Sequence, residues 1–147
     1  MTRDQHGQVA GLEAVVFGML IFVFGTLLVA NAWGVIDAKL AVTSAARQAA
    51  RGYVESSTAV AADAAAAAAA RDALEGYGRE WARADVDVTG TPFGRCARVM
   101  ATVRYRVPVV VVPFVARAGT GFTVRADHSE IVDPYRSGLG DEARCAP

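Results

Sequence analysis

The stretch EAVVFGMLIFVFGTLLVANAWGVID, residues 13–37, decides the fold of this chain. It opens on Glu13, closes on Asp37, and carries no charge over residues 14–36. As a helix rising about 1.5 Å per residue, the uncharged part is about 34 Å long, enough to cross a hydrocarbon layer about 30 Å thick. A chain of 147 residues keeps too few others to enclose such a helix on every side. We therefore predict a transmembrane helix over residues 14–36.

The helical pattern continues past the apolar stretch. The sequence WGVIDAKLAVTSAARQAARGYVE, residues 33–55, contains no proline and is rich in alanine, the best helix former. We predict one continuous rod from about residue 12 to 54. Residues 1–13 are then a cytoplasmic leader and the start of the helix, and residues 37–56 extend the helix outside the membrane.

Small residues recur along this rod at every fourth position, which makes narrow stripes where another helix backbone can approach closely. The two stripes are Ala10, Ala14, Gly18 and Ala30, Gly34, Ala38. Glycine and alanine are also simply common in membrane helices, and that explanation of either stripe stays open.

The orientation of the span depends on two opposing signals. Lys39, Arg47 and Arg51 follow the span closely, and the positive-inside rule alone would place them in the cytoplasm. However, long domains cross the membrane largely regardless of charge, and the two cysteines, Cys96 and Cys145, suit one disulfide in an exported domain. We predict an extracytoplasmic C-terminal side with these cysteines bonded to each other.

Residues 57–147 read as an α+β head. The polar break YVESST at 53–58 offers Ser57 or Thr58 as the cap of a second helix, predicted over about 58–83. Leu74, Tyr77 and Trp81 form its apolar stripe.

The period of the pattern then changes from helical to alternating, which predicts a small antiparallel sheet packed on the second helix. Val99, Ala101, Val103, Tyr105 and Val107 share one face of the middle strand. The predicted strands lie at about 85–89, 96–107 and 121–132. The connection PVVVVPFVARAGTG, bounded by Pro108 and Pro113, is too short to span a bilayer and either pads the core or rests on the membrane surface.

Composition and motifs argue against enzymatic chemistry and nucleic-acid binding. The net charge is +0, so no overall field attracts nucleic acid, and only Lys39 among the 15 basic residues is lysine, so no lysine-rich patch exists either. The adjacent Asp127, His128, Ser129 and Glu130 would point to alternate faces of a strand and cannot converge on one reactant or metal ion. We predict no catalytic residue, no metal site and no cofactor.

The N-terminal region resembles a known family. A short polar leader with Gly7, followed by Glu13 at the head of a membrane helix, resembles a type IV pilin-like precursor. The run GQVAGLEAVVFGMLIFVFGTLLVANAWGVIDAKLAVTSAARQAAR, residues 7–51, with a small α+β remainder, is similar to the TadE-like minor pilins, or pseudopilins, of tight-adherence (Flp) pilus systems. The ending RADHSEIVDPYRSGL, residues 125–139, is similar to that of actinobacterial members.

The resemblance implies a function and a processing site. A prepilin peptidase would cut after Gly7, so that Gln8 becomes the mature N-terminus. Glu13 is then the sixth mature residue, whereas the family pattern has glutamate fifth, which would need a cut after Gln8. The product would be a non-enzymatic minor pilin, in the cytoplasmic membrane or in or at the end of a surface pilus.

The implied partners are the lipid bilayer, other pilin-like subunits and the pilus assembly machinery. Glu13 would set the axial register between neighbouring helices, because a carboxylate in lipid is costly unless it meets a positive charge such as a new α-amino group. Two other interpretations stay open. One is a secreted domain released by signal peptidase after Ala32, the last residue of the small-x-small triplet Ala30–Ala32. The other is a single-pass membrane adaptor.

Overall fold

The computed structural model describes residues 6–109, 121–139 and 145, and for residues 6–10 and 12 it describes the backbone only. Helix α1 is His6–Val54 and helix α2 is Ala59–Gly76; the strands are β1 Ala84–Gly90, β2 Arg98–Val107 and β3 Phe122–Ile131. A 3-10 turn, Trp81–Arg83, joins α2 to β1. The predicted α+β class is confirmed, with a long N-terminal apolar helix, one further helix and a small antiparallel sheet.

Helix α1 is unbroken over 49 residues and begins about six residues earlier than the predicted rod. Its environment changes along its length. We call residues 14–36 the apolar half and residues 37–54 the packed half. The predicted leader lies mostly in residues 1–5, outside the described residues, and the helix already includes Gly7 and Gln8.

The packed half of α1 forms the spine of the head. Its buried face consists almost entirely of alanine: Ala38, Ala41, Val42, Ala45, Ala46, Ala49 and Ala50. Small side chains let α2 lie close against it, and a Cβ added to Gly52 would stand only 2.9 Å from the backbone oxygen of Ala65. Helix α2 runs back antiparallel to α1 after the turn at residues 55–58, and it contributes buried Ala62, Ala66, Ala70 and Leu74.

Helix α2 has a defined start and stop. Thr58 is its N-cap, and the Thr58 hydroxyl accepts a hydrogen bond from the Ala61 amide at 3.2 Å. The helix ends at Gly76, so the predicted end at about residue 83 was wrong. Gly78 takes the left-handed conformation with φ 67°, and the Arg79 amide then donates back to the Leu74 carbonyl at 2.9 Å. This glycine-terminated arrangement satisfies carbonyls in the last turn and stops the helix.

The three strands form one antiparallel sheet in the order β1-β2-β3. The predicted inner face of β2, with Val99, Ala101, Val103, Tyr105 and Val107, is buried against the helices. Strand β2 begins at Arg98, two residues later than predicted, since Cys96 has a φ of 62° that a regular strand does not adopt.

The sheet has two ends that matter below. At the basal end, Val107 pairs with Phe122, and Val107 lies beside Gly34 of α1. At the distal end, Arg98 pairs with Ile131, near the C-terminal end of α1. The two ends are therefore separated along the packed half of α1. Apart from Pro108 and Val109, the predicted core-padding or membrane-surface segment at 108–120, including Pro113, lies outside the described residues.

Candidate membrane anchor and assembly site

The apolar half of α1 is exposed over most of its length. It is the one helix in the described part of the chain that is long and apolar enough to cross a membrane, and its most apolar window has no residue buried inside the protein. Large side chains such as Ile21, Phe22 and Trp33 are more than 70% exposed. A buried core helix would show the opposite, so this segment is not a core helix of the described protein. It needs an apolar environment from outside the described residues.

Glu13 stands at the beginning of this half with its side chain exposed. Along the helix axis it lies about 36 Å from Asp37, the next acidic residue in the sequence. The backbone of Gly7 and Gln8 lies in the first turn of α1. Gly7 and Gln8, implicated in processing, are therefore adjacent on the same helix as Glu13, which follows them within two turns.

The two small-residue stripes differ in what surrounds them. A Cβ added to Gly18 would meet no atom within 4 Å, so the first stripe is open at that position. A Cβ added to Gly34 would lie 3.9 Å from Val107, and Ala38 is fully buried. The second stripe is thus partly covered by the sheet of the same chain, and only the first is free for another helix where the structure describes it.

Charged groups mark the passage from the apolar half to the packed half. Asp37 forms an ion pair with Arg79, whose guanidinium also lies over the Tyr105 ring at 6.0 Å. Two residues further along α1, Lys39 donates to the backbone carbonyl of Arg125. These contacts tie α1 to the start of the β segment and to β3 at the level where apolar exposure ends. The sequence pattern did not predict the partners of Asp37 and Lys39, although these two residues, as the first charges after the apolar stretch, marked where such contacts could begin.

The distal end is closed by the cysteine pair and two arginines. Cys96 and Cys145 form a disulfide across a Cα–Cα distance of 5.3 Å. Arg95 donates to the carbonyls of Pro134 at 2.7 Å and Leu139 at 2.9 Å.

The second arginine of the distal end caps α1. Arg136 donates to the carbonyls of Val54, the last residue of α1, and of Glu55, which follows it; carbonyls at a helix C-terminus lack intrahelical partners. The C-terminal segment, which has no periodicity, is therefore held by backbone carbonyls and one covalent bond, and sequence reasoning identified only the covalent bond.

The polar cluster at 127–130 is divided between the two faces of β3. Asp127 lies on the outer face, where it accepts hydrogen bonds from Thr102 at 2.7 Å and Arg125 at 2.8 Å. The bond from Arg125, and then the one from Thr102, lower the pKa of the Asp127 carboxyl. His128 and Glu130 lie on the other face, 3.3 Å apart. The four side chains do not meet at one point, and Asp127 serves to join β2 to β3.

In comparisons with protein-family models, curated proteins and solved structures, nothing matches this chain.

Proposed function

We propose that this chain is a membrane-anchored, non-enzymatic minor pilin or pseudopilin-like subunit that takes part in assembly of a tight-adherence type IV pilus. The observation that carries the proposal is the continuity of α1. One helix without a break is apolar and mostly exposed over residues 14–36 and is then the spine of a folded head over residues 37–54. Such a helix can anchor the head to the bilayer. It can later bundle with similar helices when the subunit leaves the bilayer for a filament.

Glu13 supports the assembly part of the proposal. A carboxylate near the end of a span is costly in lipid unless a positive group meets it. Helix geometry limits where that group can come from. With 3.6 residues per turn, residues five apart lie about 140° apart around the axis, whereas residues four apart lie about 40° apart.

Cleavage after Gly7 would therefore put the new α-amino group of Gln8 on nearly the opposite side of α1 from Glu13. Cleavage after Gln8 would put the amino group of Val9 on the same side. The glycine-based cut favours a pairing between Glu13 and the amino group of a neighbouring subunit, which would couple processing to axial register in an assembly. The lipid bilayer, pilin-like subunits, a prepilin peptidase and the assembly machinery are the proposed partners.

The N-terminus of the mature protein separates the three interpretations. A pilin-like subunit processed after Gly7 begins at Gln8, a membrane adaptor keeps Met1, and a secreted domain begins at Trp33. The last is structurally feasible, since the buried core starts at Ala38 and a cut after Ala32 would leave it intact.

Intact mass of the membrane-extracted protein, co-expressed with a prepilin peptidase of the Flp type, tests this point. We expect wild type to lose seven residues and Gly7→Ala to remain largely uncut. Gly11→Ala is the matched control, because a Cβ there meets no atom within 4 Å and lies beyond the cut. Equal processing of all three proteins, or of none, would argue against a pilin-like subunit.

Substitution of Glu13 tests assembly separately from anchoring. Glu13→Gln removes the charge and keeps the shape, so membrane insertion and head folding should not change, while co-purification with other pilin-like subunits should fall. Glu13→Asp should restore part of the association, because the charge remains but is one methylene shorter. The proposed register role is wrong if Glu13→Gln gives normal pilus numbers in a strain where deletion of the whole chain abolishes pili.

A further inference from the structure

The basal end of the head lies level with the apolar half of α1. Val107 is within contact distance of a Cβ built on Gly34, and Gly34 precedes Asp37 by about 4.5 Å along the helix axis. Phe122, paired with Val107, shares an apolar groove with α1 residues: Phe24, Leu27, Leu28, Asn31, Ala32, Val35 and Ile36. The basal end of the sheet is therefore level with Gly34, which lies inside the uncharged residues 14–36 of the proposed span.

Two apolar side chains of this groove are well exposed. Phe122 is 53% exposed, and Ile36, on α1, is 57% exposed. At the same level of α1, Trp33 is 71% exposed, and tryptophan is enriched at the boundary between acyl chains and headgroups. The chain that leaves at Val107 and returns at Gly121 has the sequence PVVVVPFVARAGT, with Arg117 as its single charge. Its two attachment points are both at the basal end.

The charge pattern of the outer sheet face changes toward the same end. Arg104 pairs with Asp85 at 3.1 Å and Arg125 with Asp127 at 2.8 Å, so the middle rows of this face have their own carboxylates. Arg106, in the basal row opposite Thr123, is exposed and has no carboxylate partner among the described residues. A basic side chain above an apolar edge complements the phosphates of a lipid leaflet.

We propose that the basal surface, defined as Ile36, Arg106 and Phe122, is a lipid-binding surface on which the head rests against the outer leaflet. Phe122 and its apolar neighbours enter the acyl boundary, and Arg106 binds headgroup phosphate. The inference uses only the membrane topology in the proposed function and is independent of pilus assembly. The head is then held at two places, by the span and by the end of its sheet, instead of standing free on one helix.

Depth measurement on the full chain in liposomes tests this surface. Phe122→Cys, labelled with a bimane fluorophore under non-reducing conditions, would be reconstituted in phosphatidylcholine–phosphatidylglycerol vesicles with and without brominated acyl chains. We expect strong quenching of the label by brominated lipid, at a depth of about 5–10 Å. Ile131→Cys is the matched control, because Ile131 is the last residue of the same strand and is 48% exposed; its label should stay in water.

Charge reversal at either end of β2 tests the role of Arg106. Arg106→Glu should lower the lipid-inserted fraction of the residue-122 label roughly fivefold, as expected for losing one basic contact with anionic lipid. Arg98→Glu, at the distal end of the same strand and face, should leave it unchanged. Equal effects of the two changes would overturn the phosphate contact.

A third label separates failure of this inference from failure of the proposed topology. With Val29→Cys labelled, quenching at 29 but water exposure at 122 would overturn the basal surface and leave the span standing. Water exposure at both positions would overturn the topology and the inference together. A label at 122 that is shielded from water but not quenched by brominated lipid would place a second copy of the chain there, and would also overturn the lipid contact.

Discussion

The two halves of α1 are one helix in two environments. The apolar half carries large side chains, such as Phe22 and Trp33, and exposes them. The packed half carries alanine at nearly every inward position and buries it beneath α2 and the sheet. Hydrophobicity alone does not distinguish them, since both are apolar on the relevant faces. Side-chain size does.

In the proposed topology, the contrast follows from what each half contacts. A helix facing lipid can carry bulky residues on all sides, because acyl chains rearrange around them. A helix facing another helix at close distance needs small residues, and at Gly52 even one methyl group would lie 2.9 Å from a backbone oxygen. Packing at that density is intolerant of added volume. The apolar half should therefore accept changes that the packed half does not.

Removal of the disulfide should have the largest effect, and it should be confined to the head. Cys96 and Cys145 are 49 positions apart, and opening a loop of that size removes about 2–4 kcal/mol from the free energy of unfolding. We expect the double change Cys96→Ser, Cys145→Ser to speed amide hydrogen exchange across the packed half in detergent and to leave the apolar half unchanged. Equal loss of protection in both halves would show that they unfold together.

Added volume in α1 should have the next largest effect. Ala45→Leu inserts three carbons into a fully buried position, and we expect a loss of about 1–3 kcal/mol in the free energy of unfolding of the head. Ala30→Leu makes the same change on the exposed apolar half and should stay within about 0.5 kcal/mol. Denaturant unfolding in detergent measures both. Similar losses for the two variants would contradict the size argument.

The junction between the halves should show the smallest of the three effects. Arg79 is 18% exposed and Asp37 42%, so solvent screens their ion pair in part. A double-mutant cycle with Asp37→Asn and Arg79→Gln should give a coupling of about 1 kcal/mol. The pair Arg51–Glu55, whose side chains are 66% and 61% exposed, is the surface control and should give a clearly smaller coupling. A coupling at the junction no larger than that of the control would show that the Asp37–Arg79 pair does not fix the boundary between the two halves.

The features that the sequence predicted well depend on local pattern. The uncharged run predicts α1, and strict alternation predicts the buried face of β2, because period and length are properties of neighbouring residues. The end of α2 was missed because Tyr77 and Trp81 continued an apolar stripe, while the conformation of Gly78 stopped the helix. In the structure Tyr77 is exposed and Trp81 lies beyond the helix.

The features that were missed depend on tertiary closure. Arg79 meets a carboxylate 42 positions away, and Arg136 meets carbonyls more than 80 positions away. No periodicity connects such residues. Among the proposed site residues, Gly7 and Glu13 were recognisable by order along the chain, but the proposed partner of Glu13 belongs to another molecule, and one chain cannot display it.

Helix α1 is unbroken from His6 to Val54, so the orientation of its packed half should follow that of its apolar half. Transmembrane helices tilt by about 20° on average, and a rigid arm as long as the packed half, about 26 Å, would carry that angle outward and move its far end sideways by about 9 Å. In the proposed topology, bilayer thickness would affect the tilt of the span and therefore the lateral position of the distal end of the head. A kink introduced at the junction, for example by proline, would let the direction of the packed half differ from the tilt of the span.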